Sequence, residues 1–421
     1  MILAGGKGTR LKSLNLGVPK ILIDINGRKL LDIQLEELKK SNIREILFLL
    51  GNESDQILNY VRKSEWENFF KITVVIEKTE LGTGGALVNA LKKLDSKFIL
   101  ICGDIYFAQV IPNLLKEINE EPNIILTRSS DHMFDSNLLT IDIDKKVSSL
   151  FLKPHNSSNF LRNRAFTGIY ILSKKTISYL SEHYRNQEFD FDSSGIPLSI
   201  KHGLEFFALT SSGVIKDIGT PKRFREVLDI SQSEAVGEKV KAIFLDRDGV
   251  INYENGYIAT PSHFVVKPGV AQTIKNFKEE GYKVIVITNQ PVIARGDITF
   301  EELEGIHAKL DTMLADAETY IDDYFICTHH PDKGFDGEIV DLKIDCSCRK
   351  PKPGLLFSAI QKYNIDMDKS LMIGNSESDY LASRAAGITY IGIGDTDKNS
   401  NLYPSFSTIE ECFKFIKGIK K

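Results

Sequence analysis

The sequence predicts an α/β protein built from two Rossmann-like, three-layer domains. Three observations carry that prediction. Short apolar, β-branched runs alternate with amphipathic stretches along the whole chain, the pattern of mostly parallel sheets covered by helices. The chain has 421 residues, long for a single core and comfortable for two. Around Ser231–Glu238 it turns polar, short and unpatterned, and a fresh apolar run, Lys241–Asp246, starts immediately afterwards. The expected division is therefore a domain over 1–232, a linker over 233–239 and a domain over 240–421.

In the first half the predicted strands are Ile43–Leu50, Ile72–Ile76, Phe98–Cys102, Ile124–Thr127 and Gly168–Leu172. Between them, Leu30–Ser41 and Thr83–Leu94 repeat apolar residues at helical spacing. The second half resumes the rhythm with strand Val284–Thr288, helix Phe300–Ala315 and strands Ser370–Ile373 and Tyr390–Ile393. No internal repeat is visible, and in particular no hexapeptide series of a left-handed β-helix.

Composition narrows the class. Hydrophobic residues make up 42% and charged residues 26%, a globular profile, and a net charge of −4 gives no electrostatic case for nucleic acid or an anionic membrane. No run of roughly 18 apolar residues suggests a membrane span. Met1–Gly6 lacks the basic and apolar regions of a signal peptide, so the cytoplasm is the expected compartment. Three of the five cysteines, Cys327, Cys346 and Cys348, fall within 22 residues, which without an export signal reads as metal binding rather than disulfides. A homo-oligomer stays open.

The first site is the opening loop, Leu3-Ala-Gly-Gly-Lys-Gly-Thr-Arg-Leu11. Gly5, Gly6 and Gly8 let backbone N–H groups approach phosphate oxygens, Arg10 adds a cation, and Pro19-Lys20 can bring a second. This opening, with Thr9, Asn26-Gly27-Arg28, Leu81-Gly-Thr-Gly-Gly-Ala86, Cys102-Gly-Asp104 and Asp217-Ile-Gly-Thr-Pro221, resembles the sugar-1-phosphate nucleotidyltransferases over residues 1–230. The resemblance implies that Gly82 to Gly85 lie against base and sugar, that Asp104 and Asp217 hold Mg²⁺, and that Lys153 contacts the sugar phosphate. Joining a sugar phosphate to a nucleoside triphosphate brings anions together, and Arg10, Lys20 and Mg²⁺ are the candidates to offset the repulsion. The sequence departs from the family at Leu152, where Glu is usual, at Thr167, and in having two or three fewer residues before the first strand.

The second site follows the run Ile243–Leu245. Asp246-Arg-Asp248-Gly249, Thr288-Asn289 at the next strand end, and Arg349-Lys350-Pro351 resemble the first three motifs of the haloacid-dehalogenase phosphatases. That implies Asp246 as nucleophile, Asp248 as acid and base, Thr288 and Asn289 on phosphoryl oxygens, Lys350 neutralising the phosphoryl group, Arg349 on substrate, and Mg²⁺ at Asp246, Asp248 and the fourth motif. The fourth motif carries a substitution: Asn375 stands where the family has a metal-binding Asp. The expectation is weaker Mg²⁺ binding, compensated by Glu377 or Asp379.

Directly before the third motif, Cys327-Thr-His329 and Cys346-Ser-Cys348 offer three thiolates and an imidazole, a tetrahedral structural Zn²⁺ set with no open position. His329 is preferred to His330 from the family's C-x-H-x-P form. Residues 240–395 resemble the heptose-bisphosphate phosphatases, with zinc and minimal cap, while histidinol-phosphate phosphatases share most of the motifs.

The two resemblances combine into consecutive steps. Removal of the 7-phosphate from heptose 1,7-bisphosphate gives heptose 1-phosphate, the substrate class of the first domain, whose short form resembles heptose 1-phosphate guanylyltransferases and favours GTP. The alternative is a mannose- or hexose-1-phosphate nucleotidyltransferase fused to a histidinol-phosphatase-like domain or to a catalytically impaired zinc-binding scaffold.

Overall fold

The computed structural model describes residues 1–6, 17–117, 123–185, 187–232, 238–254, 256, 258–394 and 402–419. It divides into two compact units, one of Met1–Arg128, Leu139–Leu152 and Phe166–Gly237, the other of Ser129–Leu138, Lys153–Ala165 and Glu238–Lys421. The expected boundaries gave all of 1–232 to the first domain, whereas Ser129–Leu138 and Lys153–Ala165 cluster with the second unit. The reason is chemical: Leu161–Asn163 hydrogen-bond to buried side chains of the helix Phe300–Asp316, contacts that sequence spacing does not announce.

In the first unit, strand Ile2–Ala4 lies between Lys97–Cys102 and Glu45–Leu50, and all three run parallel. Lys71–Ile76 adds a parallel edge, and Ala165–Ser173 pairs antiparallel with Lys97–Cys102. Alternating apolar residues explain the layers. Ile46, Phe48 and Leu50 face one side of the sheet with Leu31, Leu35 and Leu38 of the helix Leu30–Lys40, while Leu49 joins Leu87 and Ala90 on the other. Each such side chain contributes about 1.5–3 kcal/mol on burial. The parallel strands end together at Ala4, Leu50 and Cys102, and that edge is where ligands bind in open α/β sheets.

The second unit centres on a six-stranded, all-parallel sheet in the order Asp323–Cys327, Lys283–Asn289, Ala242–Leu245, Leu371–Gly374, Thr389–Ile393, Ser405–Phe406. Its central strand, Ala242–Leu245, is completely buried, as a parallel strand covered on both faces must be. The helix Phe300–Asp316 starts at a capping box in which the Thr299 hydroxyl and the Glu302 carboxylate satisfy each other's backbone N–H groups. Between Leu245 and the helix Val270–Glu279, the described residues form only isolated bridges, so any cap over the sheet is minimal.

The predicted elements are present with ends moved by a few residues; Thr83–Leu94, for example, is an α-helix over Gly82–Asn89 followed by a 3-10 turn. No described helix is long and apolar enough to cross a membrane.

Candidate active sites

In the first unit a cavity of about 290 Å³ opens at the shared strand edge, with Gly5, Gly6, Lys20, Glu77, Gly82 and Asp104 on its wall. Lys20 enters on a short 3-10 turn after Pro19, and its ammonium lies 2.9 Å from the Asp104 carboxylate. Asp104 follows the strand Lys97–Cys102 after one glycine, Gly103. The next strand, Ile105–Ala108, pairs antiparallel with Val214–Asp217, so that Asp217 stands opposite Ile105 and the Ile218 N–H donates to the Asp104 carbonyl at 2.9 Å. The backbones of two aspartates more than a hundred residues apart in sequence are thereby brought together, with Asp104 on the cavity wall and Asp217 off it. Asp217 also accepts from the Gly219 N–H at 2.9 Å and from Arg223 at 3.1 Å. Oxygen donors of this kind suit a hard divalent cation.

Gly8, Thr9 and Arg10 lie outside the described residues. Gly82 lines the cavity, but the glycines of its motif answer first to packing. A Cβ on Gly82, at φ +69°, would meet the Phe189 carbonyl at 2.4 Å, and one on Gly84 would meet the Phe189 ring at 2.1 Å. Gly85 is pressed against Leu81 and the Gln187 carbonyl and does not reach the cavity wall. Lys153 does not line the cavity either; it is partly exposed, belongs to the second unit, and pairs with Asp135 at 3.8 Å. Sequence reasoning missed Glu77. Burial raises its carboxyl to about 7, Glu80 adds to the rise, and a hydrogen bond with the Leu81 backbone opposes it.

The second unit holds a cavity of about 460 Å³ whose wall includes Asp246, Asp248, Glu254, Asn289, Gln290, Arg295, Arg349, Lys350 and Asn375. The parallel sheet assembles it, because Asp246, Asn289 and Asn375 end or follow three adjacent strands. The Lys350 ammonium is buried 2.9 Å from Asp246, 2.5 Å from Asp379 and 2.9 Å from the Ile287 carbonyl. Burial opposes its charge, but the two carboxylates outweigh burial and hold its pKa above the ordinary lysine value. Asp246 moves upward through burial and the nearby Asp379 charge, against the pull of Lys350. Asp248 moves the other way. Burial would raise it, but Arg247 and hydrogen bonds from Asn252 and Gln290 keep it ionised.

Asn289 exchanges two hydrogen bonds with the Lys350 backbone, N–H to Oδ1 and Nδ2 to carbonyl, each 3.0 Å, which ties the second motif to the third. Thr288 is buried, and its hydroxyl accepts from Gln290 at 2.9 Å.

At the fourth motif the expected compensation at Asn375 is corrected. Asp379 is fully buried; one of its oxygens holds Lys350, and the other accepts the N–H groups of Asn375 and Ser376 and the Ser376 hydroxyl. It caps the helix Glu377–Ala385 and has no oxygen turned to the cavity. Glu377 is exposed and off the cavity wall. The carboxylate beside Asn375 is instead Glu254, which accepts from its Nδ2 at 3.2 Å. Gly249, at φ +82°, permits this approach, since a Cβ there would meet Asn375 Nδ2 at 2.0 Å. Asp246 and the Asn375 carbonyl oxygen remain an all-oxygen set suited to a hard cation, one negative charge poorer than a set with Asp at 375.

Beside this cavity, Cys327, His329, Cys346 and Cys348 bring their ligand atoms within 4.8 Å of one another and can hold a metal ion. The S–S separations are 3.6, 3.3 and 3.1 Å, and His329 Nδ1 lies 3.2 Å from Cys348 and 3.8 Å from Cys327. A tetrahedron with bonds of about 2.0–2.3 Å has edges of about 3.3–3.8 Å, so the four atoms are close to that arrangement. His330 is not in the cluster; it takes the Asp332 N–H at 3.2 Å. The Arg349 N–H donates to Cys346 sulfur at 3.3 Å, which links the cluster to the next two residues, Arg349 and Lys350 on the cavity wall.

Comparison with known proteins adds three findings. A nucleotidyl transferase family model matches residues 1–234, and a haloacid dehalogenase-like hydrolase model matches residues 169–387. The D-glycero-beta-D-manno-heptose-1,7-bisphosphate 7-phosphatase of Yersinia pestis is 39% identical over 36% of this chain and 78% of its own, and that of Pasteurella multocida is 36% identical over 43% of this chain and 98% of its own. The crystal structure of HddC from Yersinia pseudotuberculosis complexed with GMP-PN covers 55% of this chain and 97% of its own at 33% identity and a TM-score of 0.46.

Proposed function

Because the chain belongs both to the nucleotidyl transferase family and to the haloacid dehalogenase-like hydrolases, we propose that it carries out two consecutive steps of nucleotide-activated heptose synthesis. The second unit removes the 7-phosphate of heptose 1,7-bisphosphate. The first transfers GMP from GTP to the resulting heptose 1-phosphate. The observation that carries the reading is one chain with two cavities at the ends of parallel strands, one with Lys20 and Asp104 on its wall and the other with Asp246 and Lys350.

In the phosphatase step an Asp246 oxygen attacks phosphorus, an aspartyl-phosphate forms and the bond to the sugar oxygen breaks. Lys350 balances charge on the phosphoryl group. Asp248 gives the leaving oxygen its proton, then takes one from the water that attacks the aspartyl-phosphate, and so carries that proton into the next turnover. Once it has given that proton up, Asp248 is ionised, the form that Arg247 favours, and it is this form in the aspartyl-phosphate intermediate that receives the water's proton. Arg349 and Arg295 on the wall are the cations for the second phosphate of a bisphosphate substrate.

In the transferase step a sugar phosphate oxygen attacks the α-phosphorus and pyrophosphate leaves. Gly5, Gly6, Gly8 and Thr9 cradle the phosphates while Lys20 and Arg10 offset the approach of two anions. Glu77 supports guanine as the base, because a carboxylate on the cavity wall can accept from an N–H donor of that ring. Asp104 and Asp217, and Asp246, Asp248 and Asn375, would hold Mg²⁺, which would supply further charge neutralisation when bound. Zn²⁺ in the Cys₃His cluster serves structure. The cytoplasm, where nucleoside triphosphates are available, is the proposed compartment.

The test is phosphate release from heptose 1,7-bisphosphate, followed by pyrophosphate release from a panel of nucleoside triphosphates with heptose 1-phosphate. Turnover with GTP supports the assignment; turnover with another triphosphate and none with GTP overturns the donor, and no phosphate release overturns the phosphatase.

A further inference from the structure

Asp248 is the near end of a buried chain of polar groups. Arg247, 1% exposed, grips the Asp248 carboxylate through Nε at 3.2 Å and through Nη2 at 2.9 and 3.0 Å, and gives Nη2 to Gln290 at 3.0 Å. Its Nη1 faces His307 Nε2 at 3.2 Å. A guanidinium only donates, so that ring nitrogen must accept. The His307 proton therefore sits on Nδ1, whose neighbouring carboxylate oxygen, Glu304 Oε1, is 3.9 Å away, too far for a hydrogen bond but near enough for its negative charge to favour that proton position. The other Glu304 oxygen takes Arg162 Nε at 3.3 Å and Arg164 Nη1. Arg162 also binds Asp311, and its guanidinium lies over the Tyr324 ring at 4.4 Å.

Every group in this chain belongs to the second unit, and Glu304, His307 and Asp311 share one face of the helix Phe300–Asp316. Arg162 and Arg164 come from Lys153–Ala165, inside the span that matches the nucleotidyl transferase model. Burying so many charges is costly, and hydrophobic replacements are often at least as stabilising, so stability alone is a weak explanation for the arrangement.

We propose that Glu304 and Arg162 are positioning residues for the phosphatase: Glu304, held by Arg162, fixes the His307 tautomer that accepts from Arg247, and Arg247 fixes Asp248 in the cavity. The inference rests on the phosphatase reading. It predicts what happens when the negative charge beside Nδ1–H is lost, as Glu304→Gln removes it. His307 is then free to carry its proton on Nε2, two donors face each other, and the Arg247 grip on Asp248 loosens. Partners that orient a reacting group from behind in this way are worth about 10–100-fold in metal sites.

The test is a double-mutant cycle on the full chain, read as phosphate release from heptose 1,7-bisphosphate and from p-nitrophenyl phosphate. Glu304→Gln lowers kcat about 10–100-fold with KM nearly unchanged. In a His307→Gln background, where an amide oxygen accepts from Arg247 whatever residue 304 is, Glu304→Gln has less than about a twofold effect. Arg162→Lys, which keeps the charge, gives an intermediate loss and serves if Glu304→Gln does not fold. Histidine ¹⁵N spectra place the His307 proton on Nδ1 in the parent and move it in Glu304→Gln. An unchanged kcat, or an equal loss in both backgrounds, overturns the inference while leaving the phosphatase intact. A parent inactive on both substrates overturns the phosphatase reading and the inference with it.

Discussion

Burial on the wall of the first cavity raises the Glu77 carboxyl toward neutrality, so the proposed role of Glu77 in base selection predicts a pH dependence. Its pKa is raised from 4.5 to about 7, so it is protonated below that pH and ionised above it. The carboxylate accepts a guanine N–H through a charge-assisted hydrogen bond, whereas the protonated acid offers only a weaker neutral acceptor. KM for GTP is therefore expected to fall as pH rises through 7. Glu77→Gln should flatten that trend relative to the parent and raise KM about tenfold or more, given about 1.5–3 kcal/mol for hydrogen bonds to a charged group. Steady-state kinetics of both proteins from pH 6 to 8 make the check.

Asn375 offers a second residue-scale experiment. Asn375→Asp restores a unit charge at the cation site and sets it against Glu254, now its hydrogen-bonded neighbour. Two carboxylates in contact repel until a cation separates them. The variant should bind Mn²⁺ about tenfold more tightly, a modest share of what one charge contributes at contact in a partly solvated site. Its melting temperature without metal should be lower than the parent's. Spin-resonance titration and calorimetry measure the two effects, and equal affinity in both proteins would contradict the account of Asn375.

At the scale of elements, the Cys327–Cys348 cluster ties a loop to the residues that line the second cavity. Cys348→Ser, or chelation, should remove one Zn²⁺ per chain by metal analysis. It should lower the melting transition by about 10 °C, at about 2–4 °C per kcal/mol for a domain of this size. Phosphate release should fall in parallel, because Arg349 and Lys350 follow the cluster directly.

The same scale shows what the sequence could announce. Cys327, His329, Cys346 and Cys348 were legible because metal ligands come in close pairs, and Asp104, Asp246 and Asn375 because parallel strands deliver their functional residues at their C-terminal ends. Glu77 was not, since it sits in a Glu-Lys-Thr-Glu run that reads as a solvated loop until burial is known. Arg162 and Glu304 are 142 residues apart, and no local pattern reports such a pair. The strand Asp323–Cys327 was missed because Asp-Tyr-Phe-Ile-Cys opens on a charge and holds a single β-branched residue, unlike the Val- and Ile-rich runs that were recognised. The glycines from Gly82 to Gly85 were recognised as a motif, but the shape of Phe189 explains Gly82 and Gly84 and that of Leu81 explains Gly85.

At the scale of the molecule the account assigns two chemistries to separate sets of residues on one chain. Asp246→Asn should abolish phosphate release and leave pyrophosphate release from GTP and heptose 1-phosphate unchanged; Asp104→Asn should do the reverse, with a loss of about 10²-fold or more. Both variants are isosteric. The most direct measurement of the central claim follows heptose 1,7-bisphosphate, GTP and Mg²⁺ with the parent chain by ³¹P spectroscopy. The account predicts that inorganic phosphate appears first, that pyrophosphate and a nucleoside diphosphate sugar follow from the monophosphate, and that with Asp246→Asn none of the three is formed. Nucleotidyl transfer from GTP with the bisphosphate left intact, or a parent that never releases phosphate from it, would contradict the account.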